Sequence, residues 1–369
     1  AASDVYKRQD YGRTSLQEMA TRLCGSADLF ATDPGRGATA SINFVSCHDG
    51  FTLTDLTRYR DKHNEANGEN NNDGSSVNRS ANFGVEGVTN EPEIIAAREQ
   101  AAMNMTGMLL LSLGTPMMLA GDEFRNTQDG NNNAYCQDND ITWLKWDWMY
   151  SPHKTREMRR LETVSRLVAL RKSLDPYHHE DFFTRLTQLG LLKPSSRVQW
   201  FLPDGTTPME RDWFDLAVRS FTMRLLSNSE VDVCIVVNGV AEDRQFRLPS
   251  DSEWMPKWCS AEINGRRPGH GNHVEEYLNT EESIWTQHVP DASETIRKIV
   301  EAVSTQKDKL FDNSQILSAS ISPNSTATAT ELDDETSETE PRISDTDSAP
   351  GDGNVWTMPA LSITLMKQV

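Results

Sequence analysis

The stretch that decides the fold is "SINFVSCHDGFTL", residues 41–53. Its apolar residues, Ile42–Val45, predict a short buried strand, and His48-Asp49-Gly50 follow directly where that strand should end. A second strand is predicted over Pro116–Ala120, and it also ends in acids, Asp122-Glu123. The surrounding periodicity predicts helices over Ser15–Leu23, over Pro92–Ser112, and from Ser151-Pro152 to about Leu174.

Apolar strands that alternate with helices favour parallel βα units. Two strands cannot close a barrel, so residues 1–180 are predicted to be the C-terminal part of a (β/α)8 TIM barrel. From about residue 195, short apolar runs separated by turns predict an antiparallel β-sandwich domain over 181–369. Residues 304–353 are rich in Ser, Thr, Asp and Glu, which predicts a disordered acidic insertion before the last strand.

Composition limits the partners. The chain of 369 residues carries a formal net charge of −19, which disfavours nucleic acid and anionic membrane surfaces. Its five cysteines form no CxxC pair, which favours a reducing compartment and argues against a zinc site. The chain lacks a starting Met and a signal-like apolar stretch, so we expect a truncated open reading frame.

Barrel enzymes build their sites from the loops that follow each strand. His48 and Asp49 stand at such a position, where a carboxylate can stabilise charge and an imidazole can donate to hydroxyls. The alternative is a simple Asp-Gly turn beside a satisfied histidine, and spacing alone leaves both open. Asp122-Glu123 is interpreted as structural, because acids after a strand often cap the next turn.

Two Asn-rich loops deserve separate mention. "NGENNNDG", residues 67–74, fails as a calcium loop, since its first position is Glu69 and its twelfth is Ser80. We therefore predict no metal and no cofactor. Solvated loops are the ordinary interpretation, although amides beside Tyr135 and Trp143 would suit sugar hydroxyls.

Five segments in order resemble the isoamylase and glycogen-debranching branch of the α-amylase superfamily (glycoside hydrolase family 13). They are "INFVSCHDGFTLTDL", "KHNEANGENNNDG", "NFGVEG", "GTPMMLAGDEF" and "TQDGNNNAYCQDNDITW". The resemblance implies that Asp49 is the catalytic transition-state stabiliser and that His48 binds the same sugar. It also implies that the nucleophile Asp and general acid Glu precede the matched segments, so this chain alone is expected to be inactive. Because the other barrel strands also precede these segments, the apolar flanks of the two predicted strands are expected to be uncovered.

Three positions depart from the family pattern: Thr54, where a basic residue is usual, Ala81, where Trp is usual, and Arg125-Asn126, where Gly-Arg is usual. All three are expected to flank the glucan groove.

The leading hypothesis is a fragment of a debranching enzyme that hydrolyses α-1,6-glucosidic branch linkages in glycogen, starch or amylopectin by a retaining mechanism. The first alternative is a non-catalytic glucan-binding isoamylase-like subunit, and the second is another α-glucan hydrolase or transferase. The expected partner is a branched α-glucan, with oligomers of this chain or of other isoamylase subunits left open. The compartment stays open between plastid and cytoplasm.

Overall fold

A computed structural model describes residues 15–30, 36–153, 155–178, 198–227, 231–270, 275–276 and 354–368. All of these belong to one unit of the chain, Ala1–Glu281 with Pro350–Val369. The other unit, Glu282–Ala349, lies outside the described residues, as do most of the predicted acidic insertion at 304–353 and the predicted domain boundary near 180. Within the described part, no helix is long and apolar enough to span a membrane.

The helices follow local sequence signals. They are α1 (Leu16–Leu23), α2 (Ala27–Phe30), α3 (Pro92–Leu111), α4 (Arg156–Ser173) and α5 (Glu210–Phe214). Ser15 and Glu18 form a reciprocal capping box at the start of α1. Pro92 begins α3, where the missing N–H costs nothing, and Thr155 caps α4 by accepting from the Met158 N–H. The predictions for α1 and α3 are confirmed to within one residue, whereas α4 begins later than predicted.

Two parallel strands connect these helices: β1 (Ile42–Asn43) and β2 (Thr115–Pro116), with Ile42 opposite Thr115. Both are shorter than predicted, because pairing extends over only two residues. Ile42 is 60% and Phe44 48% exposed, which agrees with the expectation that the apolar flanks of this strand are uncovered in the chain. A parallel pair of strands, with helices before, between and after it along the chain, gives this part of the chain the α/β class.

The remaining strands are β3 (Val198–Phe201), β4 (Ser220–Leu225), β5 (Val233–Asn238), β6 (Arg244–Arg247), β7 (Trp254–Cys259), β8 (Arg266–Arg267), β9 (Gly269–His270), β10 (Glu275–Glu276), β11 (Val355–Met358) and β12 (Ser362–Gln368). Five form an antiparallel sheet in the order β3-β4-β5-β12-β7, and three form a second sheet in the order β6-β11-β9. The strands β8 and β10 form a short antiparallel pair.

The five-stranded sheet is buried on both faces. Along β5, Val233, Ile235 and Val237 join the core shared with the helices, while Cys234 and Val236 join a second core that includes Phe246 of β6. Because successive side chains of a strand point to opposite faces, a strand buried on both sides reads as a continuous apolar run. "VCIVVN" is such a run, and all six of its residues are buried.

The helical part contacts this sheet directly. Gly107 of α3 lies so close to Trp258 of β7 that an added Cβ would stand 2.8 Å from the ring. Trp258 is fully buried, and its indole N–H donates to the Thr163 carbonyl of α4 at 3.3 Å. One indole therefore joins two helices to the sheet.

Candidate active site

His48 and Asp49 stand at the tip of the segment that follows β1. Their side chains are 86% and 80% exposed, and His48 Nε2 lies 3.4 Å from Asp49 Oδ2. Gly50, at φ +117°, provides the left-handed conformation that reverses the chain after them. The pair is thus presented to solvent, where it can contact a polyhydroxylated substrate.

The tip is exposed but its two ends are fixed. On one side, Ser46 Oγ donates a short hydrogen bond to the Asp122 carboxylate. On the other, the Leu53 N–H donates to Asp122 Oδ1 at 2.9 Å, and Phe51 is buried in the core. The Gly50 N–H adds a bond to the Asn132 carbonyl at 2.9 Å. One carboxylate therefore closes the loop that carries His48 and Asp49.

Asp122 is 2% exposed and both of its oxygens accept hydrogen bonds. Burial raises the pKa of its carboxyl group to about 6, against the lowering effect of the bonds from Ser46 and Leu53. A carboxylate occupied in this way does not reach substrate. The structural interpretation of Asp122 is confirmed, although its role is to hold the preceding site loop.

The Asn-rich loops hold each other together. Asn64 and Asn132 are buried and exchange two bonds, from Asn64 Nδ2 to Asn132 Oδ1 at 2.9 Å and from the Asn132 N–H to Asn64 Oδ1 at 3.0 Å. Asp73 Oδ2 accepts from Asn67 at 2.7 Å and from Asn133 at 2.9 Å. Since buried amides must be paired, these residues are engaged in structure and not in sugar contact.

A lysine lies where a loop of this kind would hold a cation. Lys62 Nζ donates to the carbonyls of Asn72, Asp73 and Gly74 at 3.3, 2.6 and 3.3 Å. Among the described residues, no cluster of three His, Cys, Asp or Glu side chains could hold a metal ion. The Lys62 ammonium group thus satisfies the three carbonyl oxygens that a bound cation would otherwise contact.

Aromatic side chains near these loops are open to solvent. Tyr135 is 68% exposed and Trp143 56% exposed, and the Trp143 indole N–H donates to Asp138 at 3.0 Å. Exposed rings with a polar edge are surfaces on which sugars stack. Unlike the paired asparagines, they remain free to contact a ligand.

Two of the departures from the family pattern have side chains engaged in buried polar contacts. Thr54 is 1% exposed and accepts from Arg160 Nη1 at 3.1 Å. Arg125 takes a left-handed conformation, φ +70°, which favours glycine, and its Nε lies 2.8 Å from Glu99 Oε1. Both side chains are held in buried polar contacts, and that they flank the glucan groove stays a prediction.

Sequence comparison identifies relatives. The chain is 43% identical over 222 residues to the glycogen operon protein GlgX homolog of Mycobacterium tuberculosis (strain ATCC 25618 / H37Rv), covering 58% of this chain and 29% of that protein. It is 42% identical over 250 residues to the glycogen debranching enzyme of Serratia proteamaculans, covering 66% of this chain and 34% of that protein. The chain thus spans about a third of the length of the curated relatives it matches.

These relatives confirm the resemblance predicted from the five segments: the chain is related to the isoamylase and glycogen-debranching branch of the α-amylase superfamily. No protein-family model matches it. Among solved structures, a pullulanase from Bacillus acidopullulyticus is similar at a TM-score of 0.42 and 16% identity, covering 68% of this chain and 25% of that one. A likeness at that level carries no weight for fold or function.

Proposed function

We propose that this chain, a relative of the glycogen-debranching enzymes, supplies the His48–Asp49 end of a glycosidase site that hydrolyses α-1,6 branch linkages in an α-glucan. The observation that carries the proposal is the exposed tip itself. An imidazole and a carboxylate 3.4 Å apart project into solvent, while Asp122 fixes the loop on both sides.

Retaining glycosidases pass through an oxocarbenium-like transition state, and hydrogen bonds to the sugar 2-OH strengthen as it forms. In the proposed mechanism, Asp49 accepts from substrate hydroxyls and His48 donates to a hydroxyl of the same sugar. Neither residue breaks the bond. That step needs a carboxylate nucleophile and a carboxylic acid about 5–5.5 Å apart.

We assign the nucleophile and the acid to the part of the debranching relatives that this chain does not match. Asp122 cannot replace either, because both of its oxygens are engaged and its side chain is buried. By this assignment residues 1–369 alone do not hydrolyse the glucan.

The architecture proposed with this function is the closing end of a (β/α)8 barrel. In support, β1 and β2 are parallel and neighbouring, and the apolar side chains of Ile42, Phe44 and Met117 are 60%, 48% and 39% exposed. Exposed apolar groups along strand edges suit cover by further strands. The antiparallel sheets after residue 198 form the proposed C-terminal sandwich.

The test is a debranching assay on the protein encoded by the whole gene that contains this sequence. Release of reducing ends from amylopectin is measured for the wild type and for Asp49→Asn, His48→Ala and the exposed control Asp61→Asn. Loss of a transition-state contact should lower kcat for Asp49→Asn by at least about 100-fold, while Asp61→Asn stays within about twofold.

Three results would contradict the proposal. The first is a wild-type protein that releases no linear chains although both upstream carboxylates are present. The second is an Asp49→Asn variant with normal kcat. The third is glucan binding without turnover in a whole protein lacking the nucleophile or the acid, which would instead establish the glucan-binding isoamylase-like subunit.

A further inference from the structure

A second concave feature lies where α3 and α4 begin, and its lining includes neither His48 nor Asp49. The cavity has a volume of about 210 Å³. Four of the side chains that line it are arginines: Arg58, Arg98, Arg125 and Arg156. In a chain of net charge −19, four arginines at one cavity raise the question of which groups neutralise them.

Part of this charge is neutralised internally. Arg125 Nε lies 2.8 Å from Glu99 Oε1, and its Nη1 lies 3.0 Å from Glu157 Oε1. The neighbouring Arg160 Nη2 lies 2.7 Å from Glu99 Oε2. The two carboxylates thus neutralise the guanidinium groups of Arg125 and Arg160. These carboxylates form no ion pair with the other arginines that line the cavity.

The remaining arginines, Arg58, Arg98 and Arg156, form no ion pair within the described part of the chain. Arg98 donates to three uncharged carbonyl groups, those of Gly87 at 2.6 Å, of Asn82 at 2.8 Å and of Val85. Its Nε is buried and has no hydrogen-bond partner among the described residues. The charge that Arg98 brings to the cavity lining is therefore not neutralised by any carboxylate of the described residues.

The charge of the Arg58 guanidinium is also not balanced by an ion pair. Burial and the nearby charge of Arg125 lower the pKa of its guanidinium, while Asp55 and Glu99 act in the opposite direction. Asp55 is 0% exposed and already accepts from the Gln128 N–H at 2.7 Å. No carboxylate therefore completes the coordination of Arg58 from within the described residues.

The backbone adds to the positive potential. Two long helices begin at the cavity, α3 of 20 residues at Pro92 and α4 of 18 residues at Arg156. A helix N-terminus carries roughly half a positive charge, and its free N–H groups attract anions. Side chains from the first two turns of α3, among them Ile95, line the cavity, and so does Arg156, the first residue of α4.

We propose that this cavity binds a phosphate-type oxyanion, either as inorganic phosphate or as the phosphoryl group of a small ester. Guanidinium groups recognise such anions through paired N–H donors in a planar fork. A volume of 210 Å³ is below the roughly 300–1,000 Å³ of ordinary ligand pockets. It therefore suits a phosphoryl group with at most a small attached moiety, and it does not suit an oligosaccharide.

The test is isothermal titration calorimetry with sodium phosphate injected into the protein encoded by the whole gene, sodium chloride holding the ionic strength constant. We expect saturable binding with a Kd of about 1 mM or below. Arg58→Gln should weaken it by about tenfold or more, because it removes a charged donor at the cavity. Arg156→Gln at the mouth should weaken it by about threefold.

The matched control is Arg159→Gln, an exposed arginine one turn further along α4 that does not line the cavity. It removes the same charge and should leave the Kd within about twofold. If circular dichroism shows that Arg58→Gln does not fold, the exposed Arg156→Gln variant carries the comparison alone.

Two results would overturn the proposal: no saturable heat with the wild type up to about 20 mM phosphate, or equal weakening by the cavity variants and Arg159→Gln, which would indicate general charge screening. Glucose 6-phosphate then identifies the source of the phosphoryl group. Tighter binding of the ester than of phosphate assigns the cavity to a small phosphate ester, and weaker binding assigns it to free phosphate.

Discussion

Asp122 offers a test of the candidate site through the pH dependence of stability. Burial raises the pKa of this carboxyl from the ordinary value of 3.8 to about 6 in the folded chain. A folded-state pKa above the unfolded one means that the folded chain holds the proton more tightly. The stabilising contribution is therefore complete below about pH 4, falls as the pH rises through about 6, and stays lost above it.

The magnitude follows from the shift. About two pKa units, at about 1.4 kcal/mol each, correspond to roughly 3 kcal/mol. Asp122→Asn keeps the shape of the side chain but cannot ionise. The free energy of unfolding of the wild type minus that of Asp122→Asn should thus decrease by about 2–3 kcal/mol between pH 4 and pH 7.

The assay is urea unfolding, followed by tryptophan fluorescence, at half-unit steps from pH 4 to pH 7.5. Taking the difference between the two proteins cancels every other group that titrates in the range. Asp61→Asn, at an exposed position, serves as the control and should show no such trend. A difference that stays flat for Asp122→Asn would refute the assignment of Asp122 as the buried anchor of the His48–Asp49 loop.

Three further outcomes are expected. Gly107→Ala places a Cβ 2.8 Å from the Trp258 ring, so the free energy of unfolding should fall by about 1–3 kcal/mol; a gain, as in an open helix, would contradict the packing. Lys62→Met leaves three carbonyls without their donor and should cost about 1–3 kcal/mol, while EDTA should not change the wild-type Tm; a drop would indicate a bound metal. Native Cys136, which is exposed, should react with Ellman's reagent, whereas buried Cys234 should react only in urea; equal native rates would count against the second core.

The sequence predicted best those features whose signals are local. Ser15 and Glu18 at the start of α1, and Pro92 at the start of α3, are short-range capping signals, and both helices begin within one residue of the prediction. The start of α4 was misplaced because Ser151-Pro152 resembles a helix start, while the residue that caps the helix is Thr155.

Features that depend on a distant partner were predicted less well. β1 and β2 were predicted too long, because the extent of a strand depends on what pairs with it and not on apolar content alone. β7, "WMPKWC", carries no continuous apolar pattern, because Pro256 and Lys257 interrupt it. Among the described strands it pairs with β12 alone, at the sheet edge and beside a register shift at Leu365, which is where a strand tolerates proline.

For the candidate site, the position of His48 and Asp49 after a strand was readable, and the structure presents both at an exposed tip. Their catalytic and substrate-binding roles remain predictions. The anchors could not be foreseen, since Ser46 and Asp122 are 76 residues apart in sequence. The arginine cavity gave no signal for the same reason: its side chains come from separate segments that share no motif.

The position of β12 has a consequence for how the protein is made. This strand lies between β5 and β7 in the five-stranded sheet, so the edge strand β7 has no partner until Ser362–Gln368 has been synthesised. Until then β5 presents an open apolar edge, the kind of surface on which nascent chains associate. A stop codon just before β12 would split the sheet, so this half of the molecule can complete its sheet only after Ser362–Gln368 has left the ribosome.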